Sequence, residues 1–214
     1  MQAAPRPGIP VGMLTPVPPG HVGAVVTYLE MTKRPPLRPL PASPLRLERW
    51  RAPEPGRYRL LFERVGARWL WYSRLAMDDE RLRSGMGEVH AVVDRSAIEV
   101  GMVELDFRDP GQGLIRFLGL VPELAGKGHG AWLMARTLAL AWRPDVARVQ
   151  VNTCTLDHPA ALKAYLNAGF TAVKRAFESF PDPRVAGLLP PGTAPQVPVV
   201  EAEPPAPAGP ASWR

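Results

Sequence analysis

The 214-residue sequence holds a single cysteine, Cys154. One thiol can form neither an internal disulfide nor a multi-cysteine zinc shell, and it suits a reducing compartment. The four histidines show no metal-ligand spacing, so no metal is expected. Lysine is also scarce. The 26 basic residues, 22 of them arginine, stand against 20 acidic ones and leave a net charge of +6. The arginines are scattered singly, which reads as solvated charge rather than a nucleic-acid face; no nucleic-acid partner is expected. A positive balance does suit an anionic, phosphorylated ligand. Long apolar runs are missing: Arg136 interrupts even the stretch Leu133 to Trp142, and the N-terminus lacks the apolar core of a secretory signal. A cytoplasmic protein without a membrane partner is the expectation.

Proline is abundant, but not in the middle. Of 27 prolines, 13 lie in residues 1–55 and ten in 181–214; only Pro110, Pro122, Pro144 and Pro159 fall between. Hydrophobic content of 46% excludes wholesale disorder. The division that follows is a Pro-rich N-terminal tail (1–20), a folded body (21–180) and a Pro-rich disordered C-terminal tail (181–214).

Within the body, His21–Met31 is β-branched and reads as a strand, and the seven prolines of 33–55 read as a loop. Arg57–Val65 and Met77–Arg83 have helical spacing, the second with Asp78 and Asp79 suited to its first turn. Glu88–Asp94, Ala97–Arg108 and Leu114–Val121 are strands with short connections, hence an antiparallel meander. Gly128–Trp142 is a helix with Leu133, Thr137, Leu138 and Ala141 on one face. Ala147–Thr153 is a strand. A second helix opens at Asp157-His-Pro159, with Asp157 a candidate cap, and closes at Gly169 before a last strand from Phe170 to about Phe180. The passage from 114 to 153 implies a parallel crossover pair in an otherwise antiparallel sheet. The fold class is mixed α/β (α+β).

Two segments carry chemistry. In Leu118-Gly-Leu-Val-Pro-Glu-Leu-Ala-Gly-Lys-Gly-His-Gly-Ala131 a strand runs through alternating glycines into a helix. Gly126, Gly128 and Gly130 expose successive N–H groups, Lys127 adds charge, and the helix terminus favours a phosphate. The spacing is not that of the common dinucleotide or P-loop motifs, since position 131 is Ala and no Gly-Lys-Ser/Thr is present. The second segment is Val151-Asn-Thr-Cys-Thr-Leu-Asp-His-Pro-Ala-Ala-Leu-Lys-Ala-Tyr-Leu-Asn-Ala-Gly-Phe170.

Together these segments resemble the GNAT superfamily of acetyl-CoA-dependent N-acetyltransferases, in a bacterial branch with a GLxPE…GxGxG loop and a TCTLDHPAAL…Y…GF run. The likeness is strong over about 88–178 and weaker over 22–87. It implies a mostly antiparallel sheet flanked by helices, acetyl-CoA as acyl donor, an amine acceptor, and a homodimer as a common assembly. The backbone of Leu118, Gly119 and Leu120 matches the strand that holds the pantetheine arm. Ala125, Gly126, Lys127, Gly128, His129 and Gly130 match the pyrophosphate loop, with Ala125 where Arg or Gln is usual. His158 stands where Asn is usual. Tyr165 matches the tyrosine that protonates the departing thiolate.

The reaction also needs a base, because an alkyl amine is protonated at neutral pH. Glu104, mid-strand and on one face with Met102 and Asp106, is the candidate; a solvent-facing strand glutamate is the other reading, and Asp106 the substitute. Tyr165 also reads as a core tyrosine, and Cys154 as a buried strand-end thiol rather than a nucleophile. Trp71 and Tyr72, in the cluster Trp69-Leu-Trp-Tyr72, are either core or the wall of an acceptor cleft, the latter suiting a hydrophobic or aromatic amine. The function expected is transfer of an acetyl group from acetyl-CoA to a primary amine of a small molecule or peptide. The alternative is a non-catalytic acyl-CoA-binding or regulatory module, supported by the departures at Ala125 and His158.

Overall fold

The computed structural model describes residues 14–36 and 39–201. Its strands are β1 (His21–Met31), β2 (Arg46–Trp50), β3 (Glu88–Val93), β4 (Glu99–Asp106), β5 (Gln112–Leu120), β6 (Arg148–Cys154) and β7 (Thr171–Pro181). The helices are α1 (Pro55–Gly66), α2 (Asp79–Gly85), α3 (His129–Ala141) and α4 (Ala161–Asn167). The strands form one sheet in the order β2-β3-β4-β5-β6-β1-β7. All neighbours are antiparallel except β5 and β6. This is the expected mixed α/β class with its single parallel crossover.

β1 is the first strand in chain order yet lies between β6 and β7, paired antiparallel with both. Alternation explains its depth: Val22, Ala24 and Val26 are buried on one face, and Thr27, Leu29 and Met31 on the other further along. β2 occupies part of the stretch expected to be loop. Its sequence RLERW has little apolar periodicity because it is an edge strand, held by backbone pairing from Arg46↔Val93 to Trp50↔Val89 and kept from further pairing by its charges. α1 packs Tyr58, Leu61, Phe62 and Val65 against the sheet, the spacing of one helical face. α2 is capped as expected, Asp78 accepting from the Arg81 amide at 2.8 Å.

The feature that positions the site is the short reach of the parallel pair. β5 and β6 are in register only from Gln112↔Arg148 to Ile115↔Val151. One residue later β5 bulges: Glu104 pairs with Phe117 and Leu105 with Ile115, leaving Arg116 as the extra residue. A bulge bends its strand and increases the local twist, and here it turns β5 away from β6. Asp106 fixes it. Its buried carboxylate accepts from Arg116 Nε at 2.6 Å and from Arg108 Nε and Nη2 at 2.9 and 2.5 Å. That carboxyl is held far below its ordinary range, chiefly by the Arg108 hydrogen bond. Asp106 is therefore a structural anion, and its place as substitute base is not borne out.

The expected boundary at 180 also needs correction. Residues 182–200 fold back on the body rather than forming a disordered tail. Asp182 Oδ1 accepts from the Arg184 amide and Nε, both at 2.9 Å, and Arg184 Nη1 donates to the carbonyls of Thr193, Ala194 and Val197 at 3.1, 3.2 and 2.8 Å. Both side chains are buried, and Leu189 and Ala194 join Val22, Leu70 and Phe180 in a small second core. A segment stapled by one buried arginine has no hydrophobic period to read, and its prolines mimic a tail. Residues 1–13 and 202–214 of the expected tails lie outside the described residues.

Two stability measurements follow. Arg184→Met leaves Asp182 buried without its partner, a change worth roughly 3–5 kcal/mol. A lower Tm and new protease cleavage within 185–200 are expected; an unchanged digest would mean that the segment is held without the clamp. For Asp106 the folded pKa lies below the unfolded value of about 3.9. Its stabilisation is therefore present above that pH and lost as pH falls through the folded value. Asp106→Asn should cost about 2 kcal/mol at pH 7 and progressively less below pH 4, read as converging Tm values of variant and parent.

Candidate active site

Beyond Ile115 the diverging β5 and β6 form the walls of an open cleft of about 700 Å³. Register decides which backbone groups face it. The Val121 amide donates to the Val100 carbonyl at 3.0 Å, so Met102↔Gly119 is the next hydrogen-bonded pair and the backbone of Gly119 is turned to β4. Leu118 and Leu120 alternate with it and present their N–H and C=O groups to the open side. Gly119 has a different use. A Cβ there would sit 2.7 Å from Val65 and 3.3 Å from the Trp71 indole, so its missing side chain makes room for Trp71 on the cleft floor.

At one end the cleft meets the turn into α3. Ala125, Gly126, Gly128, His129 and Gly130 all line it. Gly128 has φ +82° and is the N-cap of α3, with no side chain closing the helix terminus. The first amides of this 13-residue helix have no intrahelical acceptor and carry the positive end of its dipole, which is what an anionic group requires. His129 Nδ1 lies 3.2 Å from Ser43 Oγ. Lys127 is exposed and does not line the cleft.

The opposite wall comes from β6 and α4. Tyr165 is 7% exposed, packs edge-on to Phe170 at 5.8 Å and reaches the cleft; its hydroxyl bonds to no described residue. Burial, with the charge of Asp157, raises its pKa far above the ordinary tyrosine value. Asp157 is not the cap expected for α4. Its Oδ2 accepts from Thr153 Oγ1 at 2.7 Å and the Cys154 amide at 2.9 Å, while Oδ1 accepts from Trp71 Nε1 at 3.1 Å. It thus ties the end of β6 to the aromatic floor. His158 packs edge-on against Trp69 at 5.2 Å and takes the Ala160 amide on Nδ1 at 3.1 Å. The Cys154 thiol is half-buried and pushed up by burial and by Asp157, conditions that suppress a nucleophilic thiolate.

Trp71 and Tyr72 both line the cleft, and both are packed. Trp71 lies against Phe62 and Phe117, with ring centroids 5.4 and 5.2 Å apart, and Tyr72 stacks on Phe180 at 4.6 Å and 15°. Core and cleft wall, posed as alternatives, are the same residues.

Glu104 is elsewhere. It is wholly buried beneath α1, ion-paired to Arg74, and accepts from Tyr58 Oη and from the Gly87 amide at 3.1 Å. Burial and the Glu104 charge drive the Tyr58 hydroxyl pKa far upward. A carboxylate enclosed by three donors and outside the cleft is not placed to take a proton from an amine, so the base expected at Glu104 is corrected to a structural hub. The carboxylates that do line the cleft are Asp157 and Glu178, on β7. Glu178 was legible only as one position of the last strand, sharing alternate spacing with Phe180. No group of three or more His, Cys, Asp or Glu suited to a metal ion occurs among the described residues, and no described helix is long and apolar enough to cross a membrane.

The chain matches the model of the Acetyltransferase (GNAT) family over residues 45–170, more than half its length. No protein of curated function matches it significantly. Among solved structures it is similar to a protein of Novosphingobium aromaticivorans assigned to the GNAT family as an acetyltransferase, at 13% identity and a TM-score of 0.54, covering 78% of this chain and 69% of that one. It is similar to a GCN5-related N-acetyltransferase from Sphaerobacter thermophilus at 16% identity and 0.52, covering 87% and 55%. It is also similar to a tandem GNAT protein from the clavulanic acid biosynthesis pathway at 18% and 0.50, covering 78% and 54%. The chain thus spans little more than half the length of the last two. These likenesses bear on the fold, and the family match adds the chemistry of acetyl transfer: the chain belongs to the GNAT acetyltransferase family.

Proposed function

We propose that the protein moves an acetyl group from acetyl-CoA to a primary amine of a small molecule or peptide, by direct attack within a ternary complex. The observation that carries this reading is the cleft between the diverging β5 and β6, which ends at the positive-φ glycine turn and uncapped N-terminus of α3. The pyrophosphate fits the amides of Gly128, His129 and Gly130. The pantetheine arm, itself a chain of amides, fits the unpaired edge at Leu118 and Leu120 as a further strand would. Ala125 adds no side-chain contact, so affinity rests on backbone groups and the helix dipole.

In the reaction the neutral amine nitrogen attacks the thioester carbonyl and the carbonyl oxygen takes the charge. As the carbonyl re-forms, the carbon–sulfur bond breaks and the nitrogen sheds its surplus proton to solvent, from which Tyr165 is reprotonated. The backbone N–H groups on the cleft edge of β5 suit the oxyanion. Tyr165 gives its proton to the departing sulfur; with its pKa raised, it holds that proton throughout the range in which amines become neutral. Covalent catalysis is not required.

Three outcomes are expected. Calorimetric titration should show micromolar binding of acetyl-CoA, and Gly128→Glu should weaken it about tenfold or more by setting a carboxylate where the phosphates lie. Gly111→Glu, at an equally left-handed turn (φ +73°) outside the cleft, controls for backbone strain and should leave binding unchanged. Equal affinities in all three proteins would remove the assignment of the loop. Tyr165→Phe should lower kcat roughly 10²-fold or more with acetyl-CoA affinity retained. The parent's rate should rise with pH as the amine deprotonates and not fall until above pH about 10, the ordinary tyrosine value; a fall near pH 8 would identify another acid. Binding of acetyl-CoA without thiol release on any amine would instead favour the acyl-CoA-binding module.

A further inference from the structure

The chemistry of the cleft is not uniform along its length. Away from the α3 turn its lining includes an apolar wall of Leu70, Tyr72, Leu156, Val26 and Phe180, beside the polar Ser73, Asn152 and Thr153. One charged group stands among them. Glu178 projects from β7 on the face it shares with Phe180, opposite Ala24 of β1, whose small side chain leaves room above it. Burial and, as a smaller cause, the Glu178 charge raise both the Tyr72 hydroxyl and the Cys154 thiol, and all three residues line the cleft. Asp157, the other carboxylate of the cleft, is committed to three donors. Glu178 has no hydrogen-bond or ion-pair partner among the described residues.

We infer that this region is the acceptor site, and that it takes a cationic amine with an apolar or aromatic body, the ammonium facing Glu178 and the body lying along Tyr72, Phe180, Leu70 and Leu156. The inference rests on the acetyl-transfer reading and adds the substrate class. An ammonium is met by the one uncompensated carboxylate, and the same carboxylate can take its proton before attack, leaving a neutral nitrogen as nucleophile. The walls select the rest of the molecule. A polyamine or an amino sugar would set its polar groups against this apolar wall, whereas an aryl or alkyl group gains by burying its area there. The wall is rigid, because Tyr72 is stacked on Phe180 and backed by Leu70 and Leu189 of the second core.

The test uses the full chain saturated with CoA and titrated with 2-phenylethylamine, 2-phenylethanol and spermidine, in the parent and in Glu178→Gln. Glu178 is exposed on an edge strand, so the substitution leaves the fold intact. The amine should bind more tightly than both the alcohol and spermidine, and Glu178→Gln should weaken it about tenfold or more while acetyl-CoA affinity stays the same. Equal amine affinity in the two proteins, tighter binding of spermidine, or acetyl-CoA binding with no detectable phenylethylamine binding would overturn the acceptor assignment alone. Failure of the parent to bind acetyl-CoA would overturn the donor reading, and this inference with it.

Discussion

The parallel pairing of β5 and β6 stops after Ile115↔Val151, and the chemistry of the protein depends on that stop. Had the ladder continued, Leu118 and Leu120 would bond to β6 and the sheet would close. The bulge at Arg116 prevents this, and a buried anion holds the bulge: Asp106 grips Arg116 and Arg108 at once. A single unpaired residue thereby exposes backbone donors and acceptors within a continuous sheet. The same divergence leaves the N-terminus of α3 free at the end of the gap, so the open edge of β5 and the first amides of α3 lie along one cleft.

The buried carboxylates share one logic. Glu104, Asp106 and Asp182 each sit at 6% exposure or less, and each is held by arginine. Burying a charge is costly unless it is paired and its remaining lone pairs are satisfied, and the guanidinium fork satisfies two at a time. This is where part of the arginine excess is spent: Arg74, Arg108 and Arg184 organise the α1–α2 underside, the bulge and the C-terminal fold-back. A carboxylate on a strand near a cleft looks catalytic in sequence, but its partners decide, and they lie 2 to 46 residues away.

That distinction also marks what the sequence made legible. Strong periodicity placed β1, α1, α3 and the β3–β5 meander, and glycine spacing placed the turn into α3, because these depend on local chain properties. The RLERW strand was missed because an edge strand is held by a neighbour's backbone, which leaves no pattern in its own side chains. Residues 182–200 were missed for a related reason: one arginine and three carbonyls hold the segment, and nothing in a run of prolines announces them. Trp71 was unresolved between core and cleft because in the fold it is both, the indole lying where Gly119 has no side chain. Glu104 failed as a base for want of one fact, that Tyr58 and Arg74 enclose it from another layer.

The family match covers 45–170, and the parts of the cleft it contains include the glycine turn, the open edge of β5, Tyr165 and the apolar wall of Leu70, Tyr72 and Leu156. Val26, Glu178 and Phe180 lie outside it, on β1 and β7, and Phe180 is buttressed by the fold-back beyond them. β1 reaches its place by threading from the start of the chain between β6 and β7, so the segments that flank the shared region come together as one wall. The two halves of the proposed reaction then have different physical origins. Donor recognition, as proposed, would use backbone amides and a helix dipole, which tolerate a change such as Ala125 because no side chain carries them. Acceptor recognition would take its carboxylate, Glu178, and Phe180 from a flanking strand, and Leu70, Tyr72 and Leu156 from within the shared region. The charge that would select the acceptor thus lies outside the shared region, while the open edge of β5 and the glycine turn lie within it.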